Sequence, residues 1–242
     1  MTYCIGVMLD TGMIFASDSR TNAGVDNVAK FCKTTVFERA GNRVIVLLSS
    51  GNLAGTQAVV SLLTQRCADG DAPDNLFGAR TMFDVVGLVA DATRDIEKRD
   101  AGYLEESNIR FNASFIVGGQ ILGEPPRLFR TYAEGNFIEA STDTPFFQTG
   151  ETKYGKPILD RVLSRETSLA DATKCVLVSF DSTMRSNLSV GMPIDLACYE
   201  KDSLQLQWRR RFHEGDPYFT AVSDAWGEGT REVFSRLPVL RW

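Results

Sequence analysis

The stretch that decides the fold is residues 1–24, MTYCIGVMLDTGMIFASDSRTNAG. Apolar side chains at every second position of residues 3–9 are typical of a β-strand, and Asp10-Thr11-Gly12 has the composition of a tight turn. Residues 13–17 then form the returning strand. Because paired strands lie only about 4.8 Å apart, this hairpin is expected to place Asp18 roughly opposite Thr2.

Thr2 follows the initiator methionine directly, and methionine is commonly removed before a small residue. Removal of Met1 would give Thr2 a free α-amine, with an ordinary pKa of about 8, beside its own hydroxyl. An N-terminal amine is a recognised base for activating a threonine hydroxyl. A lysine ammonium held by Asp18 would favour the alkoxide and lower the pKa of the amine. Lys30 and Lys33 are both candidates for that lysine.

Three segments carry a resemblance to a known family: MTYCIGVMLD at residues 1–10, FASDSRTNAGVDN at 15–27 and LLSSGNLAGTQAVVSLL at 47–63. They resemble proteasome β-subunits and, more closely, the Anbu (ancestral β-subunit) branch of bacterial proteasome-type peptidases, within the Ntn-hydrolase superfamily. The resemblance covers essentially the whole chain and is most specific in residues 1–65. It implies a threonine-type peptidase that self-assembles into a homo-oligomer, as a ring or an open lock-washer.

The resemblance also implies roles for individual residues. Thr2 matches the nucleophile, and Asp18 with Lys33 matches the Asp–Lys pair that supports it, with Lys30 as the rival of Lys33. Gly51 matches the residue whose backbone N–H binds the oxyanion, a role that suits a residue before a helix N-terminus. Arg20 matches the arginine beside the aspartate, either as a structural salt-bridge partner or as part of the site.

The resemblance further implies a distal Ser–Asp–Ser cluster and residues that contact the substrate. Asp181 and Ser186 are the candidates for its aspartate and following serine, although Asp181 is also compatible with an ordinary position near a helix end. The resemblance implies the other serine of the cluster at about position 151, where this chain has Glu151. This difference from the family pattern affects the proton relay around the α-amine. The candidates for substrate contact are Thr21, Leu53 and Lys30.

The rest of the chain shows strand patterns followed by helix patterns, twice over and without βαβ alternation. This order predicts antiparallel sheets covered by helices. We therefore predict an α+β fold, a four-layer α/β/β/α sandwich of two antiparallel sheets, with residues 1–242 as a single domain; the resemblance implies the same. The predicted strands are 34–38, 44–49, 112–121, 127–133, 136–140, 194–199 and 204–211, and the predicted helices are 52–67, 82–98, 156–163, 168–183 and 219–235, with Asn52 and Ser168 as N-caps.

Composition excludes several classes of function. A net charge of −5 argues against nucleic acid or an acidic membrane as the partner, and the absence of a long apolar run argues against a transmembrane helix. The first residues do not resemble a signal peptide. Five scattered cysteines without a CxxC pair favour reduced thiols in the cytoplasm. His213 is the only histidine, so no metal, no cofactor and no Ser-His-Asp triad is expected.

Residues 150–156 spell GxxxxGK, the beginning of a phosphate-binding loop. The next residue is Pro157, where that motif requires Ser or Thr. We therefore interpret Pro157 as a first-turn helix residue and expect no nucleotide site.

The resulting functional prediction is cleavage of peptide amides through an acyl-Thr2 intermediate after Met1 removal. The expected substrate is a peptide or an unfolded protein, and the existence of an unfoldase partner stays open. Two alternatives remain: an assembly or scaffold protein with restricted or vestigial catalysis, and an Ntn amidohydrolase that acts on small amides.

Overall fold

The computed structural model describes residues 2–22, 28–70, 74–106 and 111–242, and the predicted removal of Met1 lies outside them. The described residues form twelve strands and five helices. The strands are β1 Tyr3–Leu9, β2 Gly12–Asp18, β3 Arg20–Asn22, β4 Val28–Lys30, β5 Thr34–Arg39, β6 Arg43–Gly51, β7 Ala113–Ile121, β8 Arg127–Thr131, β9 Phe137–Glu139, β10 Phe146–Gly150, β11 Ile194–Glu200 and β12 Trp208–Phe212. The helices are α1 Leu53–Ala68, α2 Met82–Glu106, α3 Lys156–Val162, α4 Leu169–Ser186 and α5 Pro217–Ser235.

Two five-stranded sheets organise the chain. The first has the order β10-β1-β2-β11-β12 and the second the order β5-β6-β7-β8-β9, while β3 and β4 form a separate two-stranded ribbon. Every recorded strand pairing is antiparallel. The predicted α+β class with antiparallel sheets is therefore confirmed.

Three apolar clusters fill the spaces around these sheets. One lies between the first sheet and α3, α4 and α5, and another lies between the second sheet and α1 and α2. The third joins residues of both sheets. Strand β1 is buried on both faces for this reason: Ile5 and Val7 pack toward the helices, whereas Cys4 and Met8 pack toward the other sheet.

The predicted helix caps are confirmed. The Asn52 side chain accepts a hydrogen bond from the N–H of Gly55, and the Ser168 side chain accepts one from the N–H of Asp171. Pro157 lies in the first turn of α3, as predicted. The cluster around Trp208 lies on the exposed edge strand β12, in agreement with its interpretation as a strand face.

Four elements differ from the prediction. The last strand, predicted over 204–211, begins only at Trp208. Strand β10 and the β3–β4 ribbon were not predicted, because they are short and their strand conformation depends on pairing with distant or locally ordered partners. Helix α2 continues to Glu106, past the predicted end at residue 98, through a polar segment that has no apolar periodicity.

None of the described helices has the length and apolarity needed to cross a membrane. All five cysteines are free.

Candidate active site

The β1–β2 hairpin brings the carboxylate of Asp18 next to Thr2. Cys4 pairs with Ser17, and the backbone N–H of Tyr3 donates a hydrogen bond of 3.0 Å to Asp18 Oδ1. This nitrogen belongs to the peptide bond that joins Thr2 to Tyr3, so the carboxylate lies one residue from the threonine. On the other side, the N–H of Glu151 donates a 2.6 Å hydrogen bond to the carbonyl of Thr2. Thr2 is therefore held between two neighbouring strands.

Lys33 completes a buried ion pair at this position. Its Nζ donates to Asp18 Oδ1 at 2.5 Å and to the carbonyl of Arg20 at 2.6 Å, and the two paired side chains are 5% and 0% exposed. Lys30 is exposed on β4, where its backbone pairs with Arg20. The structure thus places Lys33, and not Lys30, beside Asp18.

Burial controls the electrostatics around the pair. It raises the pKa of Asp18, while the Lys33 ammonium and the N–H groups of Tyr3 and Gly191 oppose that rise. Burial also raises the pKa of the neighbouring Cys4 thiol far above its usual range, so Cys4 stays protonated at neutral pH. The Lys33–Asp18 pair is accordingly the charged centre next to Thr2.

Gly51 lies at the same end of the molecule, at the last position of β6. The N–H of Ser49, two residues earlier, donates to the carbonyl of Lys33 at 2.9 Å, which brings this end of β6 alongside the ion pair. Gly51 has a φ of +115°, and a Cβ there would overlap the carbonyl of Asn112. The position therefore requires glycine, immediately before the cap of α1.

The three predicted substrate contacts lie on three different elements. Leu53 is the half-buried first residue of α1. Thr21 lies on β3, and its buried Oγ1 has no hydrogen-bond partner among the described residues. The third, Lys30, is the exposed last residue of β4.

Arg20 fixes a loop against the ion pair. Its Nη1 donates to the carbonyl of Leu188 at 2.8 Å, and its guanidinium lies where a Cβ at Gly191 would point. The N–H of Gly191 in turn donates to Asp18 Oδ2 at 3.4 Å. Among the described residues the recorded side-chain hydrogen bond of this arginine goes to a carbonyl, and its role, structural or within the site, stays a prediction.

The two candidates for the distal cluster, Asp181 and Ser186, lie in the last turns of α4, and their role stays a prediction. The carboxylate of Asp181 accepts hydrogen bonds from Arg185 Nε at 3.0 Å and from Ser223 Oγ at 2.7 Å. The bond from Arg185 lies within α4, whereas the bond from Ser223 joins α4 to α5. Ser186 is exposed at the last position of α4. Asp181 and Ser186 are thus not brought to Thr2 by any recorded contact of the described residues.

A different polar group stands beside the strand that holds Thr2. Asn187 Nδ2 donates to the buried Glu151 carboxylate at 2.8 Å, and the N–H of Ser189 donates to Asn187 Oδ1 at 2.9 Å. Glu151 was expected in this region, whereas Asn187, Ser189 and Gly191 were missed. The available signal was the polar, glycine-ended run NLSVG between α4 and β11.

Within the described residues, no group of three His, Cys, Asp or Glu side chains is arranged to hold a metal ion. The functional groups at this end of the molecule are a threonine hydroxyl, a Lys–Asp pair, a carboxylate–amide pair and the backbone of Gly51.

Neither a protein-family profile nor a curated protein matches this chain. Solved structures do match it. Anbu (ancestral β-subunit) from Yersinia bercovieri is 48% identical, with a TM-score of 0.93 over 99% of each chain. The chain belongs to the Anbu family.

Two further Anbu structures agree with this assignment. A Gly-1 mutant from Hyphomicrobium sp. strain MC1 is 48% identical, with a TM-score of 0.94 over 100% of each chain. The helical assembly of the Anbu complex from Pseudomonas aeruginosa is 49% identical, with a TM-score of 0.94 over 99% of this chain and 98% of that chain. The Anbu resemblance expected from the sequence is confirmed over the full length.

Proposed function

We propose that this Anbu protein is an N-terminal-threonine peptidase that cleaves peptide amides after Met1 removal. The observation that supports this proposal most directly is the Asp18 carboxylate. It is fully buried, binds the Lys33 ammonium at 2.5 Å and binds the peptide nitrogen after Thr2 at 3.0 Å. A buried ion pair is costly to desolvate and is a weak source of stability, so its place beside a nucleophile favours a chemical role.

The proposed reaction uses Thr2 as nucleophile and base. The α-amine of Thr2 takes the proton from Oγ, directly or through a water, as Oγ attacks the amide carbonyl carbon. The Lys33 ammonium stabilises the developing alkoxide, and Asp18 keeps that ammonium in place. The C–N bond breaks as the proton passes from the amine to the leaving nitrogen. Water then hydrolyses the acyl-Thr2 ester, releasing the carboxylic acid and regenerating the hydroxyl.

Gly51 is proposed to stabilise the oxyanion through its backbone N–H. Donors aimed at developing negative charge typically contribute a large part of catalysis in acyl transfer. The lack of a side chain at Gly51 lets an extended substrate approach the end of β6, with Thr21, Leu53 and Lys30 as proposed contacts. The expected substrate is a peptide or an unfolded protein.

Assembly is the second part of the proposal. The Pseudomonas aeruginosa relative is described as a helical assembly of the Anbu complex, and we extend self-assembly to this chain. The three apolar clusters support a four-layer α/β/β/α sandwich in one domain. Free cysteines favour a reducing compartment such as the cytoplasm.

One observation favours a second candidate, an assembly protein with restricted catalysis. Glu151 and Asn187 pair with each other in place of the Ser–Asp–Ser relay that the family resemblance implies. A carboxylate in this region alters the protonation of the nearby α-amine, since opposite charge favours its ammonium form. Panels of peptides and of small amides distinguish peptidase, small-amide hydrolase and scaffold.

The decisive experiment is intact mass analysis before and after treatment with an electrophile directed at N-terminal threonine. We expect loss of Met1, one adduct on the wild type and none on Thr2→Ala, with unchanged circular dichroism. Thr11→Ala is the matched control, because Thr11 is an exposed threonine in the β1–β2 turn. An unaltered labelling or turnover in Thr2→Ala would dispose of the proposal.

A further inference from the structure

A cavity that the proposed peptidase chemistry does not use lies beside β10, the edge strand of the first sheet. Its volume is about 390 Å³, within the range of small-molecule sites, about 300–1,000 Å³. Residues of β8, β9, β10 and α3 line it. Three of them are apolar, Ile138, Phe146 and Phe147, whereas Thr152 and Lys156 come from the GxxxxGK segment. The cavity therefore combines an apolar lining with polar and charged groups.

Arg130 is a cation of this cavity that lacks an anionic partner among the described residues. It lies on β8, on the same face as Leu128, which packs between the two sheets. Its Nε is buried and has no acceptor in the described part of the chain, and none of the ion pairs recorded there includes this guanidinium. The guanidinium lies 5.2 Å from the ring of Tyr132. Because a buried donor without an acceptor is costly, Arg130 is suited to bind an anion that enters the cavity.

The other charged groups of the cavity limit which anion fits. Lys156 Nζ donates to both carboxylate oxygens of Asp160 at 2.6 Å, so these two charges neutralise each other. The remaining carboxylate is that of Asp143, which is exposed and takes part in none of the ion pairs recorded for the described ranges. The cavity thus offers one guanidinium and one carboxylate to a ligand, with a formal charge of zero in total.

This charge balance favours a zwitterion over a phosphate. A phosphate would bring negative charge to a cavity that already has two carboxylates, and the lysine that the GxxxxGK motif would use is bound to Asp160. A ligand carboxylate instead matches the planar guanidinium of Arg130, which can donate two parallel hydrogen bonds to it. An ammonium on the same ligand would balance Asp143. Amino acids and short peptides with free termini carry both groups, and an apolar side chain suits the lining of Phe146 and Phe147.

We propose that this cavity is a second ligand site, which binds an apolar amino acid or short peptide with free termini through its carboxylate on Arg130 and its ammonium on Asp143. Three observations carry the proposal together: the volume of the cavity, the buried Nε without an acceptor, and the balanced charges of the lining. The site goes beyond the proposed peptidase function and does not require it, because binding here involves neither Thr2 nor the Lys33–Asp18 pair.

Titration calorimetry with the dipeptide Leu-Leu tests the role of Arg130. The parent protein is Thr2→Ala, so that the dipeptide stays intact whether or not the chain is a peptidase. We expect Arg130→Met to weaken binding by about tenfold or more, because it removes a charge-assisted hydrogen-bond pair. Arg127→Met is the matched control, since Arg127 lies on the same strand and binds Glu139; it should change the Kd by less than about twofold. Equal Kd values in all three proteins, or no binding to the parent, overturn the proposal.

Changes in the ligand test the chemistry without depending on the folding of Arg130→Met. On the parent protein, Leu-Leu amide, which lacks the carboxylate, should bind about tenfold more weakly than Leu-Leu. Asp143→Asn should weaken the binding of Leu-Leu but not that of acetyl-Leu-Leu, which has no ammonium. Free leucine that binds as tightly as Leu-Leu assigns the site to single amino acids, and weaker binding of leucine assigns it to peptides. Equal binding of Leu-Leu and its amide, or tighter Arg130-dependent binding of inorganic phosphate, overturns the proposed ligand class.

Discussion

Lys33→Met is the perturbation that tests the buried ion pair most sharply. Methionine keeps an unbranched, uncharged chain of similar length and lacks the ammonium. The variant leaves the fully buried Asp18 carboxylate with two backbone donors, the N–H of Tyr3 at 3.0 Å and the N–H of Gly191 at 3.4 Å. Removing one partner of a buried pair costs about 3–5 kcal/mol of unfolding free energy, because the other charge stays buried without compensation.

The unfolding free energy lost in Lys33→Met should grow as pH rises. Burial raises the pKa of Asp18 in the folded state, so the folded protein binds this proton more tightly than the unfolded chain does. The stability from that proton is fully present below the unfolded pKa of about 4 and is lost as pH rises through the folded pKa. Without Lys33, which opposes the rise, the folded pKa is higher still. The difference in unfolding free energy between the wild type and Lys33→Met should therefore be largest near neutral pH. It should shrink on acidification by at most about 1.4 kcal/mol per pH unit.

The assay is urea unfolding at one fixed protein concentration between about pH 5 and pH 8, on the wild type, Lys33→Met and Lys30→Met. Lys30 is the matched control, because it is exposed on the adjacent ribbon, and its replacement should change the unfolding free energy by less than about 0.5 kcal/mol. Equal losses in the two variants, or a Lys33→Met deficit that does not change with pH, would refute the reasoning.

Two further substitutions separate the groups around Thr2 from those outside the site. Gly191→Ala places a methyl group into the guanidinium of Arg20, so it should lower the unfolding free energy in urea by about 1–3 kcal/mol and slow the labelling of Thr2. Gly70→Ala is the control, because a Cβ at Gly70 meets open space. Equal labelling rates in the two variants would contradict the role of Arg20 in fixing the loop against the ion pair. Asp181→Asn weakens the bonds to Arg185 and Ser223 and should cost about 1–2 kcal/mol while labelling proceeds at the wild-type rate. A strong loss of labelling in Asp181→Asn would restore Asp181 to the site.

The sequence by itself determined the parts of this protein that depend on near neighbours. The juxtaposition of Thr2 and Asp18 follows from a seven-residue strand, a tight turn and a returning strand, so period-two alternation and turn chemistry suffice to predict it. The caps of α1 and α4 are equally local, since a side chain bonds to a backbone N–H three residues later. Antiparallel sheets under helices follow from the order of these elements.

Only the tertiary structure decided which distant groups meet at Thr2. Lys30 and Lys33 are both lysines at a similar distance along the chain from Asp18. In the structure Lys30 lies on the exposed β3–β4 ribbon, whereas Lys33 follows the ribbon and binds Asp18. Glu151 and Asn187 reach the same place from β10 and from the end of α4. Pairing across such separations depends on sheet register and loop path, which are set by packing of the whole chain. The position of Asp181 depended on packing in the same way, because its carboxylate accepts a hydrogen bond from Ser223 of α5 and no recorded contact of the described residues joins it to Thr2.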